Sequence, residues 1–268
     1  MSEQQEIIAE LGSAGVLGGI RWAYLSAAAR SLEIYAEDGA FDDAGWLGTT
    51  RYTLFKDRLD RVFACGRYVS VSGDNQDDLD LLFAQLSDKD IRTMPRLDPT
   101  VVERKNLNGS PGWVHGGNRF LLASSAFGKL DELPWPQKSP TKQRVASQRD
   151  PDPDQPSLFE GAADEELSVL EAAMAAESDL DMTTFVVAHS LDALNGRSEL
   201  VFGRPMLNVG GGKAWRWRED LLNIPPIGGG FQTDDRPRPI GPDGTPDAPV
   251  RLRPSAESRP SRNSGGER

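Results

Sequence analysis

Two histidines and one cysteine are the only imidazole and thiol side chains in these 268 residues, so chemistry that depends on them has few places to occur. Cys65 falls on the apolar face of a predicted helix, where a thiol acts as a small hydrophobe rather than a nucleophile. It can form no internal disulfide, and with His115 and His189 it does not complete a four-ligand zinc site. His115 lies beside a turn and His189 in a helix-like pattern, positions that suit ordinary surface and core histidines. Gly210-Gly211-Gly212-Lys213 has the flavour of a phosphate-binding loop, but Leu207 stands where its leading glycine belongs and Ala214 where a hydroxyl would hold magnesium. Asp74, Asp77, Asp78 and Asp80 cluster without the glycine and terminal glutamate of a calcium loop, and read as favourable charges at a helix start. Carboxylates brought together only by the fold would make a metal-dependent nuclease, which stands as an alternative function. No catalytic residue, metal or cofactor is assigned from the sequence.

The arrangement of charge points to binding instead. The net charge is −11, which repels phosphate backbones unless the basic residues are concentrated somewhere. Residues 197–218 supply such a concentration, with Arg197, Arg204, Lys213, Arg216 and Arg218 against Glu199 alone. Trp215 and Trp217 alternate with Arg216 and Arg218, so a regular strand would put both indoles on one face and both guanidinium groups on the other. Indoles stack on unpaired bases and guanidinium binds phosphate, giving a candidate nucleic-acid edge. The simpler reading places the indoles in the core and the arginines in water. Arg104, Lys105 and Arg119 are further candidates for phosphate or base contact.

Punctuation divides the chain into residues 1–135, a Pro-rich flexible linker at 136–157, a second patterned region at 158–225, and a Gly, Pro and Ser-rich disordered tail at 226–268. Ser2 and Gln5 fit a capping box, and a helix restarts at 20–36. Thr49 or Thr50 caps a further helix with Phe55, Leu59, Val62 and Phe63 on one face, ended by Gly66. A strand at 68–71, helices at 76–86 and 98–106, and a hairpin around Gly116-Gly117-Asn118 follow. In the second region the expected order is helix 165–176, helix 183–194, then strands at 199–202 and 214–218. Both orders are similar to a winged helix-turn-helix, with 98–106 and 183–194 as recognition helices. The expected fold is therefore mainly α with short β-hairpins (α+β), as two small winged-helix-like domains. The first region carries fourteen basic and twenty acidic side chains, a balance that also suits a protein-binding or dimerisation unit. No apolar run is long enough to cross a membrane, and the N-terminus lacks a signal-peptide pattern, so a cytoplasmic protein is expected.

One segment names a partner. Gln155, Pro156, Ser157, Leu158 and Phe159 place two large apolar side chains in a stretch that otherwise has nothing to bury. The pentapeptide resembles the linear motif, Gln followed after two residues by Leu-Phe, through which bacterial replication and repair proteins dock on the DNA sliding clamp. The resemblance implies an extended peptide that buries Leu158 and Phe159 in a groove while the Gln155 amide bonds at its rim. Pro156 replaces the leucine commonest at the second place and removes one apolar contact. The expectation is a non-enzymatic accessory protein of bacterial DNA metabolism, in replication, repair or a mobile element, that docks on a clamp or another protein partner. The alternative to it, besides the nuclease, is a homodimeric subunit of a condensin-like or phage-related assembly, which it resembles in being acidic and built of paired winged helices.

Overall fold

Strands from both patterned regions join in one sheet, which overturns the expectation of a mainly helical protein of two winged-helix-like domains. The computed structural model describes residues 2–38, 44–69, 82–148 and 182–224. Six strands lie in sequence order: β1 (Glu103–Arg104), β2 (Gly112–His115), β3 (Asn118–Ser124), β4 (Thr183–Asp192), β5 (Arg197–Pro205) and β6 (Trp215–Asp220). Every neighbouring pair is antiparallel except β3 and β4, which are parallel, with Asn118 opposite Thr183 and Ser124 opposite His189.

Three helices cover one face: α1 (Glu3–Ser13), α2 (Val16–Asp38) and α3 (Ala44–Val62). The capping box of α1 forms as its sequence predicts, Ser2 accepting from the Gln5 N–H while its own N–H donates to Gln5 Oε1. The break before α2 falls at Ala14-Gly15, and α3 begins earlier than its threonine caps suggest. Phe55, Leu59, Val62 and Phe63 are all buried, against a sheet face made by Trp113, Phe120, Leu122, Phe185, Val187, Leu200 and Phe202. Alternate residues of the same strands, Leu121, Ala123, Val186, Ala188 and Val201, form the opposite face, under Leu130, Leu133, Trp135, Val145 and Ala146. A short helix α4 (Asp88–Thr93) lies at the end of the 82–93 segment, and α5 (Pro140–Ala146) packs in the second layer. Residues 136–148, expected as linker, thus fold onto the sheet: Pro140 follows Ser139 as a helix start, and Thr141, Val145 and Ala146 are buried.

The two expected recognition helices are corrected here. Residues 98–106 form a turn leading into β1, and residues 183–194 are strand β4 and the start of its turn. Thr184, Phe185, Val186, Val187 and Ala188 are buried on both faces, and such a continuous run of β-branched and aromatic residues is the pattern of a central strand. The 68–71 strand is replaced, as far as it is described, by a 3-10 turn at Gly66–Tyr68. Most of the expected helix 76–86, and all of 165–176, lie outside the described residues. The β2–β3 hairpin turns at Gly116-Gly117 as expected, with Gly116 at φ +57. The strands expected at 199–202 and 214–218 are β5 and β6.

A bulge between β5 and β6 divides the tryptophan pair. Arg204 pairs with Trp217 but Pro205 with Trp215, so Arg216 is the extra residue. One extra residue reverses the facing of what precedes it. Trp215 consequently enters the second layer, edge-on to Trp135 at 5.3 Å with its Nε1 donating to the Leu130 carbonyl at 2.7 Å. Trp217 turns to the helical face beside Phe185 and Phe202. Gly203 permits this closeness, because a Cβ there would collide with the Trp217 carbonyl.

Candidate functional site

The carboxyl end of β4 carries the most unusual polar centre. His189 is fully buried on the helical face, enclosed by Tyr24, Tyr52 and Phe55 at ring distances of 5.7, 6.4 and 5.2 Å. Arg51 of α3, also buried, donates from Nε to His189 Nδ1 at 3.2 Å. That donation makes Nδ1 the acceptor, so the neutral ring carries its proton on Nε2, where no partner is found. Burial, and after it the charges of Arg51 and Lys142, hold the imidazole well below the usual histidine range. The Tyr24 hydroxyl donates to the Ser190 carbonyl at 2.5 Å, and burial raises it above the usual phenol range.

A second polar centre is an internal ion network. Asp57 accepts from Arg58, Arg61, Arg67 and the Tyr68 hydroxyl. Burial pushes its carboxyl up, but hydrogen bonds from Tyr68, Arg61 and Arg67 outweigh this and hold it below the usual carboxylate range. Asp60 accepts from Arg104 at 2.7 Å and from Trp113 Nε1 at 2.9 Å. Burial pushes the neighbouring Cys65 thiol up to about 12, so it is a buried structural thiol and not a thiolate nucleophile. Among the described residues, no three His, Cys, Asp or Glu side chains come together as a metal site. Asp74, Asp77, Asp78 and Asp80 lie outside those residues.

The chain enters and leaves residues 149–181 at a single point. The Gln148 side chain accepts from the Thr184 N–H at 2.9 Å and donates to the Thr184 carbonyl at 2.7 Å, as a neighbouring strand would. Continuing the β4–β5 register from Val186 opposite Gly203 puts Pro205 across from Thr184, and proline has no N–H to donate. Gln148 supplies the missing partner.

The residues expected at a nucleic-acid edge are distributed over the molecule. Arg104 stacks over Trp113 at 4.2 Å and pairs with Asp60; Lys105 is exposed after β1, and Arg119 is buried in β3. Arg197 pairs with Asp192 at 3.2 Å and lies over Phe127. Arg204 is buried and paired with Glu3, which also accepts from Trp217 Nε1 at 2.7 Å. Arg216 donates to the Gln148 carbonyl at 3.0 Å, and Arg218 pairs with Asp131 at 2.5 Å. Lys213 is exposed in the loop before β6. Arg216 and Arg218, together with Lys213, stay on the surface, whereas Trp215 is buried and Trp217 half-buried. His115 bonds through Nδ1 to the Val101 carbonyl at 2.6 Å. The docking peptide, with Gln155, Leu158 and Phe159, lies outside the described residues.

Arg51 and Gln148 were not legible as site residues. Gln148 falls where prolines suggest linker, although Ser139-Pro140 followed by Thr141 and Val145 is a helix-start signal. No protein-family model, curated protein or solved structure matches the chain.

Proposed function

We propose that this chain is a non-enzymatic accessory protein of DNA metabolism that docks on a sliding clamp, or a partner with a similar apolar groove, through Gln155, Leu158 and Phe159. The supporting observation is the Gln148–Thr184 pairing. A parallel strand pair requires a crossover, and the crossover from β3 is already complete when Gln148 reaches the start of β4. The residues between these anchors are therefore more than the fold needs for connection, and surplus connections are where functional sequence is accommodated.

Charge favours a protein partner over direct contact with nucleic acid. Residues 149–181 hold eleven acidic side chains and one basic, a net of −10 within a chain of net −11. The remainder is nearly neutral, and several of its arginines are committed to Glu3, Asp57, Asp60 and Asp131.

Titration calorimetry of the intact chain against a bacterial sliding clamp tests the reading. The expected result is binding of about micromolar affinity, lost in the Leu158→Ala, Phe159→Ala double variant while the melting temperature is kept. Absence of binding, or equal binding by the variant, overturns it.

A further inference from the structure

A cavity of about 160 Å³ opens where β5 and the end of β6 meet the connection that follows β3. Register decides which side chains face it. Ser190 lies opposite Glu199, and Val201 opposite Asp220. Val201 belongs to the second-layer core, so Glu199, Arg218 and Asp220, at alternate positions of the same two strands, share its face. Asp131 and Leu130 line the cavity from the connection, and Leu222 from the turn after β6. An apolar cavity of such a size accommodates one benzene ring, which sets the room available at about six non-hydrogen atoms.

Only one oxygen of Glu199 is committed to the fold. Its Oε2 accepts from the Gly128 N–H at 2.9 Å and from the Ser190 hydroxyl, which fixes the carboxylate at the cavity wall, while Oε1 takes no bond among the described residues. The other polar groups of the lining are occupied. Asp220 accepts from the Leu222 N–H at 2.9 Å and from Asn223 Nδ2 at 2.7 Å, and Arg218 pairs with Asp131 at 2.5 Å. The lining thus sets three carboxylates against one guanidinium, and Lys129 nearby is turned to Glu132 at 3.9 Å. A concave wall of one prevailing sign focuses its field on a counter-charge. Among the described residues, no three carboxylates or imidazoles converge closely enough to hold a metal ion, so the arrangement suits a cation that brings its own N–H donors. Leu130, Val201 and Leu222 add an apolar wall beside the carboxylate.

We propose that this cavity binds a primary ammonium group on a short apolar stem, carried by a free alkylamine or by a lysine side chain. Glu199 Oε1 accepts a charge-assisted hydrogen bond from the ammonium, Asp131 and Asp220 add longer-range attraction, and the stem lies along the leucine and valine wall. Gly128 and Ser190 already hold the carboxylate in place, so binding orders no further protein side chain. The site is independent of the docking peptide.

Thermal unfolding of the full chain in rising n-butylammonium chloride tests this, with tetramethylammonium chloride of matched ionic strength as a reference cation that has no N–H. A saturable rise in Tm over the reference is expected, with the midpoint moved about tenfold or more to higher amine concentration in Glu199→Gln. The glutamine keeps an oxygen for the Gly128 and Ser190 donors, so the variant should melt near the parent without amine; Asp131→Asn serves for the same comparison should it not fold. A short blocked peptide with one lysine between alanines separates the two sources. A rise with the peptide assigns a lysine side chain, and a rise with butylammonium alone assigns a free amine. No saturable rise over tetramethylammonium with either ligand, or an identical response in a folded variant, overturns the assignment.

Discussion

Neutral His189 is held between an arginine that donates to one ring nitrogen and an aromatic wall around the rest. A second ring proton would have to sit on Nδ1, facing the Arg51 guanidinium. The ring therefore stays neutral in the fold while the unfolded chain takes up a proton near pH 6.5. Above that pH the group adds no pH dependence. As pH falls below it, the unfolded state binds the extra proton and stability is lost by up to about 1.4 kcal/mol per pH unit, until the depressed folded value is reached. Asp57, with its lowered carboxylate, also loses its contribution in acid, but only around pH 4 and below. Urea unfolding of the parent and of His189→Gln at pH 7.5 and pH 5 separates the two. The parent should lose stability relative to the variant over this interval, and equal losses would contradict the neutral, buried assignment. His189 was read only as an ordinary surface or core histidine in a helix, whereas it is buried in strand β4, and Arg51 was not read as a site residue at all. Its place on the buried face of α3 follows from helical spacing with Phe55, yet a cation at such a position is ordinarily assigned to water.

At the scale of elements, Gln148 does the work of a strand where Pro205 cannot. Gln148→Ala would orphan the Thr184 N–H and carbonyl, both buried, and each lost bond leaves a desolvated group without a partner. A loss of about 1–3 kcal/mol is expected in urea unfolding, whereas an unchanged midpoint would mean that the pairing does not hold the crossover closed. Helices and hairpins with local signals were readable in the sequence: the Ser2–Gln5 box, the apolar stripe of α3, and the Gly116-Gly117 turn. Strand β4 was not, because Phe185, Val186, Leu191 and Leu194 fit helical spacing over a short window, and burial on both faces erases the period of two that marks a strand. The parallel pairing of β3 with β4, separated by more than fifty residues, depends on contacts that no local pattern records. The facing of Trp215 and Trp217 was misread for a related reason. Alternation predicts one face, and a bulge set by Arg204 and Pro205 on the neighbouring strand moves one indole to the other.

At the scale of the whole molecule, charge is divided unevenly: residues 149–181 carry a net of −10, and the rest of the chain is nearly neutral. Described residues contain no helix long and apolar enough to cross a membrane. The most direct measurement replaces residues 150–181 with a short Gly-Ser connection and follows both thermal unfolding and calorimetric binding to a bacterial sliding clamp. The expected result is that the parent binds the clamp, and that the shortened chain unfolds cooperatively with a melting temperature close to the parent's but does not bind it. A shortened chain that fails to fold would show the connection to be part of the body, and one that still binds would place the docking surface elsewhere; either result contradicts the central claim.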